Sequence, residues 1–214
     1  MDLVIPAAAD FEVTVIMVVE INKQYLPASA GNRYRLGTWV AMASILMLFT
    51  ALSSAYIVRA ASSSDWQPLA MPRILLLSSV LLLISSGTLE SARRKLKHAA
   101  SNAYRSRLLL TVVLGVGFLV SQLIAWRQLA KQGVYIASNP HSSFFYVFTA
   151  AHGVHLLGGL TALGYLSLRN RAPLEDKSAM AISKAQAKAD AVTLYWHFMD
   201  FLWLYLFVLL FYVR

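Results

Sequence analysis

Five long stretches of this chain are almost free of charge, and basic or acidic residues close nearly all of their ends. They fall at about residues 36–58, 73–91, 107–127, 144–168 and 191–213. An α-helix rises about 1.5 Å per residue, so about 20 apolar residues cross a hydrocarbon core of about 30 Å. Arg35 and Arg59 bracket the first stretch, Arg73 and Glu90 the second and shortest, and Arg107 and Arg127 the third. Arg169 ends the fourth, and Asp200 is the only formal charge inside the fifth. An open strand in lipid would leave backbone N–H and C=O groups unpaired, so all five are predicted as helices. The β-branched run Thr111-Val112-Val113 does not override that constraint. The pattern predicts an all-α integral membrane bundle of five transmembrane helices over 36–213, preceded by an N-terminal cytoplasmic or interfacial segment at 1–35.

The N-terminal segment is too polar to span. Its apolar run at 11–21 lies between acids and Asn22-Lys23-Gln24, which fits either an interfacial helix or an extended arm on a partner. Only 14% of the 214 residues are charged, where a soluble domain carries about 25%. The net charge of +9 raises the question of a nucleic-acid partner, but the basic residues sit in short blocks between apolar runs, which is a topology signal. Fourteen of the 19 Lys and Arg fall on the side of the N-terminus, the loop after helix two and the loop after helix four. The positive-inside rule therefore predicts a cytoplasmic N-terminus and a C-terminus outside. No basic n-region of a signal peptide precedes the first helix, so that helix is expected to lead insertion. Cysteine is absent, which removes disulfides and thiolate metal sites and leaves His, Asp and Glu as ligands. Gly158-x-x-x-Ala162 and Gly117-x-x-x-Ser121 have the spacing of close helix contacts, and no inverted repeat of transporter type is evident.

Ionisable residues inside a bilayer are costly and usually functional. Helix four carries His152 and His155 at i and i+3, followed on the same stripe by Gly159. Helix five carries His197 and Asp200 at the same spacing, framed by Tyr195, Trp196 and Trp203. Helix three brings Gln122 and Trp126, and helix two ends at Glu90. Histidines so spaced can share a metal or ligate haem iron. They can equally hydrogen-bond across helices or hold lipid headgroups. Glu90 has Arg93 and Arg94 at i+3 and i+4, the spacing of an interfacial ion pair, and could otherwise serve as a partial proton antenna for a neighbouring subunit. Trp66 and Trp126 are expected in the interfacial aromatic belts.

The segment from Phe144-Phe145 through Thr149-Ala150-Ala151-His152-Gly153-Val154-His155 to Gly159 resembles the pattern FF-x-x-TG-x-HG-x-HV-x-x-G of haem–copper oxidase subunit III. Tyr195-Trp196-His197-Phe198-Met199-Asp200-Phe201-Leu202-Trp203 is similar to that family's YWHF-x-D-x-x-W. Gly37-Thr38-Trp39 with Ala55-Tyr56 resembles its helix-one motif, and five helices match the short bacterial form. One position departs. The family's helix-one Ser-Glu is Ser44-Ile45 here, so no role resting on that glutamate transfers. The neighbouring Ala41 and Ser44 are small and expected to pack closely.

The resemblance implies a non-catalytic subunit of a respiratory terminal oxidase in the bacterial inner membrane. Its partners would be the catalytic subunit I, subunit II and membrane phospholipids, with haem and copper held by those subunits and none by this chain. It would hold lipids in a cleft, support proton uptake and protect the catalytic subunit from turnover inactivation. His152, His155, Trp196, His197 and Asp200 fall on the motif positions and are the candidates for lipid or interhelix polar contacts. A quinol oxidase subunit or a subunit-III-like protein of a nitric oxide reductase would have the same fold, because the donor site lies elsewhere. A small transporter would need a broken helix or polar stripe at the midplane, and 201–213 is uniformly apolar. A membrane cytochrome b would show a haem Soret band.

Overall fold

Water ends where lipid begins, but helical hydrogen bonding does not, and the helices outrun the apolar stretches that mark them. In a computed structural model, the backbone is described for residues 8–62, 64–67, 69, 71–97, 101–169 and 179–213. Side chains within these are described from residue 34 onward, except 97, 101, 169 and 179–182. The helices are α1 (Ala8–Ser62), α2 (Ile74–Lys97), α3 (Ser101–Lys131), α4 (Pro140–Arg169) and α5 (Ala179–Tyr212). Each contains one span long and apolar enough to cross a membrane.

The helices extend beyond several of the expected spans. The expected second helix, 73–91, runs on to Lys97, so Arg93, Arg94 and Lys95 project from a helix and not from a loop. The third begins at Ser101 instead of 107, the fourth at Pro140 instead of 144, and the fifth at Ala179 instead of 191. Charge shows where a helix leaves lipid, and the backbone can continue into water. The backbone of 11–21 belongs to α1, while its side chains lie outside the described residues. Arg171 and Lys177, expected in the loop after helix four, also lie outside them.

Two ends carry signals that the hydropathy pattern passed over. Gly133 takes φ of 77°, and the amides of Gly133 and Val134 donate to the Ala130 and Leu129 carbonyls, a Schellman ending for α3. Asn139 caps α4, with Ser142 N–H donating to Asn139 Oδ1 at 3.0 Å and Asn139 N–H donating to Ser142 Oγ at 3.2 Å. Pro140 follows at the first helical position, where its missing N–H costs nothing.

The helices α2 and α3 form a long antiparallel hairpin, while α5 lies against α1, α2 and α4. The core is a continuous cluster that includes Phe49, Leu82, Phe118, Phe148, Leu156, Trp196 and Trp203. Outward positions such as Met47, Val113, Val154 and Phe201 are apolar and 64–74% exposed, a surface suited to lipid or to other membrane helices.

Candidate functional site

Lipid tails are as apolar as leucine, so packing and polar contacts hold such helices together. The site is a seam of those contacts along α2 and α5. Ser78, Ser79, Ser85 and Ser86 stand as two pairs seven residues apart on a leucine-rich helix, hence on one face. Trp203 Nε1–H donates to Ser79 Oγ at 2.9 Å, and Trp196 Nε1–H donates to Ser85 Oγ at 3.1 Å. Ser86 Oγ shares a 2.6 Å hydrogen bond with His197 Nδ1. From α3, Gln122 Nε2 donates to Ser78 Oγ at 3.0 Å, and Thr111 and Thr88 hydroxyls meet at 2.8 Å. Ser78, Ser79 and Ser85 return their own protons to carbonyls one turn back on α2. Each therefore satisfies its helix and still accepts from a neighbour. These serines were not singled out by the sequence reading; the doubled Ser-Ser at a seven-residue spacing was the available signal.

Trp196 is completely buried, wedged between glycines of two other helices. A Cβ on Gly115 would lie 2.9 Å from its ring and 2.8 Å from Leu160 Cδ2, and a Cβ on Gly159 would lie 3.2 Å from the same indole. The glycines that matter sterically are these two. Gly117 has nothing nearer than Leu81 at 3.8 Å, and Ser44 and Ala41 on α1 are exposed, so the expected close packing there is not made within this chain.

The two histidines of α4 part company. His152 is fully buried, edge-on to Phe118 and tilted against Trp203, and neither ring nitrogen has a hydrogen-bond partner among the described residues. His155 turns toward α1, where it meets Phe49 edge-to-face. Its Nδ1 lies 2.7 Å from the Ala151 carbonyl, which can only accept, so Nδ1 carries the proton. Its own carbonyl accepts from the Tyr195 hydroxyl at 2.9 Å. Positions three apart differ by about 60° around a helix, enough to send these rings to different neighbours. His152 and Trp196 are thus interhelix groups with no surface left for lipid.

Asp200 is 5% exposed, its Oδ2 lies 3.9 Å from His197 Nδ1, and neither carboxyl oxygen has a hydrogen bond within the described residues. His197 is the link outward, since it also lines a recess of ≈420 Å³ with Arg35, Arg93, Asp190 and Thr193. Arg93 Nε donates to Asp190 at 2.6 Å and its Nη1 to Glu90 at 3.4 Å, while Arg94 Nε donates to Glu90 at 3.2 Å. Glu90 accordingly sits in an ion-pair network that ties α2 to α5. Of the two aromatics assigned to the interfacial belts, Trp126 donates to Thr149 Oγ1 at 3.1 Å and Trp66 stacks on His141. Both are engaged within the protein. Ile45, where the resembling family has glutamate, is buried in the apolar core.

A second recess of ≈640 Å³ opens between α1, α4 and α5, floored by Gly37, Ala41, Gly158, Ala162 and Ala191. At its rim the Lys188 ammonium lies 5.7 Å from the Tyr34 ring and 6.0 Å from the Tyr165 ring. No group of three or more His, Asp or Glu that could hold a metal ion occurs among the described residues.

Comparison with known proteins agrees with the motifs. A model of the family "Cytochrome c oxidase subunit III" matches residues 23–214. The chain is 30% identical over 188 residues to a probable cytochrome c oxidase subunit 3 of Nocardia farcinica, covering 86% of this chain and 89% of that one. It is 29% identical over 190 residues to the cytochrome c oxidase subunit 3 of Corynebacterium diphtheriae, with the same coverages. The Bacillus subtilis protein of that name is 28% identical over 185 residues, covering 85% of this chain and 86% of its own length. Five spans, the paired motifs of α4 and α5 and a match over nearly the whole chain converge: this protein belongs to the cytochrome c oxidase subunit III family.

Proposed function

We propose that the chain is the non-catalytic subunit III of a haem–copper terminal oxidase, seated beside catalytic subunit I and accompanied by subunit II in a bacterial inner membrane. The observation that carries this is the use made of its buried polar groups. The Trp196, Trp203, Gln122 and His197 side chains bond to serines of α2, and the seam ends in the Glu90–Arg93–Asp190 network. Those side chains, together with Arg93, join α2 to α3 and α5. The reaction's haem and copper belong to the partner subunits, and the protons consumed there are taken up at the side where the basic blocks lie. Asp200 and His197, reached through the ≈420 Å³ recess, are the groups best placed to exchange protons with that side.

Phospholipid holding has a separate location. The ≈640 Å³ recess joins an apolar floor of small residues to a cationic rim, the chemistry of an acyl chain below an anionic headgroup. Trp196, fully buried, packs against Gly159, the neighbour of the Gly158 that lines this recess.

The reading is tested in the assembled oxidase with Asp200→Leu and His197→Leu. The haem absorption spectrum should stay unchanged while the active lifetime during turnover shortens. Immediate loss of haem signal would mean that these residues hold the cofactor, and the accessory role would be wrong.

A further inference from the structure

At the end of the bundle away from the Glu90–Arg93–Asp190 network, a buried histidine absent from the motifs above holds the α1–α2 connection in place. His141 is the second residue of α4 and is 0% exposed. Trp66 of the connection stacks on its ring at 5.1 Å with an interplanar angle of 9°, and Tyr56 of α1 lies against it at 5.9 Å. Leu69, 4% exposed, sends its amide N–H into His141 Nδ1 at 3.0 Å.

That bond has one allowed direction. A backbone amide only donates, so Nδ1 must be unprotonated and the imidazole neutral with its proton on Nε2. A second proton, taken from water at Nδ1, turns the acceptor into a donor. The Leu69 N–H then faces another N–H, the bond is lost, and a charge is created on a fully buried ring. Among the described residues, this end carries the following charged or titratable groups. Tyr56 of α1 donates its hydroxyl to the Val213 carbonyl beyond α5. Arg59 of α1 binds both oxygens of Asp65 at 3.1 Å, so those charges are already paired. Arg73 of the connection, Arg127 and Lys131 of α3, Tyr135 of the α3–α4 turn and Tyr212 of α5 are exposed.

We propose that His141 is an acid-operated latch. Neutral, it clamps the α1–α2 connection onto α4; doubly protonated, it releases Leu69 and loosens the joint that Tyr56 makes between α1, α4 and the end of α5. Under the orientation proposed above, this latch faces the outer compartment. That side assignment rests on the proposed function, whereas the release itself does not.

Hydrogen–deuterium exchange on the purified oxidase complex in detergent tests it, because both faces then meet the same pH. Protection of the peptide containing Leu69, corrected for intrinsic exchange, should fall about tenfold between about pH 8 and about pH 5 and recover on return. His141→Gln keeps an acceptor but cannot gain the proton, and its protection should stay flat. Equal loss in both proteins, or flat protection in the wild type, overturns the latch. Should the variant fail to assemble, the wild-type α3–α4 turn serves as the reference: a matching fall there means general acid loosening and also overturns the proposal. None of these outcomes bears on whether the chain accompanies an oxidase.

Discussion

Trp196 shows how much a single side chain asks of three other helices. Its indole needs bare backbone on α3 and α4 and an acceptor on α2, which Gly115, Gly159 and Ser85 supply. Gly115→Ala should therefore destabilise the folded protein by about 1–3 kcal/mol, the usual cost of overpacking a closed site. Gly117→Ala, in looser surroundings, should stay within about 0.5 kcal/mol. Thermal denaturation of the two variants in the same detergent separates them, and equal losses would refute the wedge. At this scale the sequence was informative about chemistry and poor about partners. Rarity in an apolar helix marked His152, His197 and Asp200 as important, and the motif resemblance named them. Serine is common in membrane helices, so the acceptors of α2 stayed hidden until α5 was seen against them. His141 lay just outside the stretch counted as the fourth span, and its neighbours come from 72 and more positions away in the chain.

The pairing of α2 with α5 is an element-scale property. The Ser79–Trp203, Ser85–Trp196 and Arg93–Asp190 contacts step along the two helices in opposite directions, with Ser86–His197 beside the middle one, and hold one antiparallel register. A shift of either helix by one turn would strand buried indole N–H groups. A double-mutant cycle of Ser79→Ala with Trp203→Phe should return a coupling of about 0.6–1.7 kcal/mol, the range of interhelical hydrogen bonds in membranes. Additive losses would show that the bond does not set the register. Helix number was legible because a span must be apolar along its whole length. Helix ends were less so, because the charged turns of α2 and α5 remain helical in water. The Asn139-Pro140 cap and the Gly133 ending were readable local signals that charge counting overrode.

For the whole molecule, orientation decides what each recess can exchange. The basic ends of α2 and α5 and the ≈420 Å³ recess share one side, and the latch at His141 lies at the other. Because the chain has no cysteine, single cysteines report side directly. A cysteine replacing Arg94 should react with an impermeant maleimide only from the cytoplasmic face, and one replacing Tyr135 only from outside. The reverse pattern would overturn the orientation and the side given to proton uptake. The arrangement of helices around α5 was not readable from the chain, since an apolar surface marks contact with lipid and with protein alike.

The most direct measurement is purification of a tagged chain in mild detergent, with the accompanying subunits identified and haem and copper quantified before and after the chain is separated. An oxygen-reducing haem–copper subunit should come with it, and the separated chain should carry neither haem nor copper. Stoichiometric haem on the chain alone, or an assembly with no oxygen-reducing partner, would contradict the proposed role.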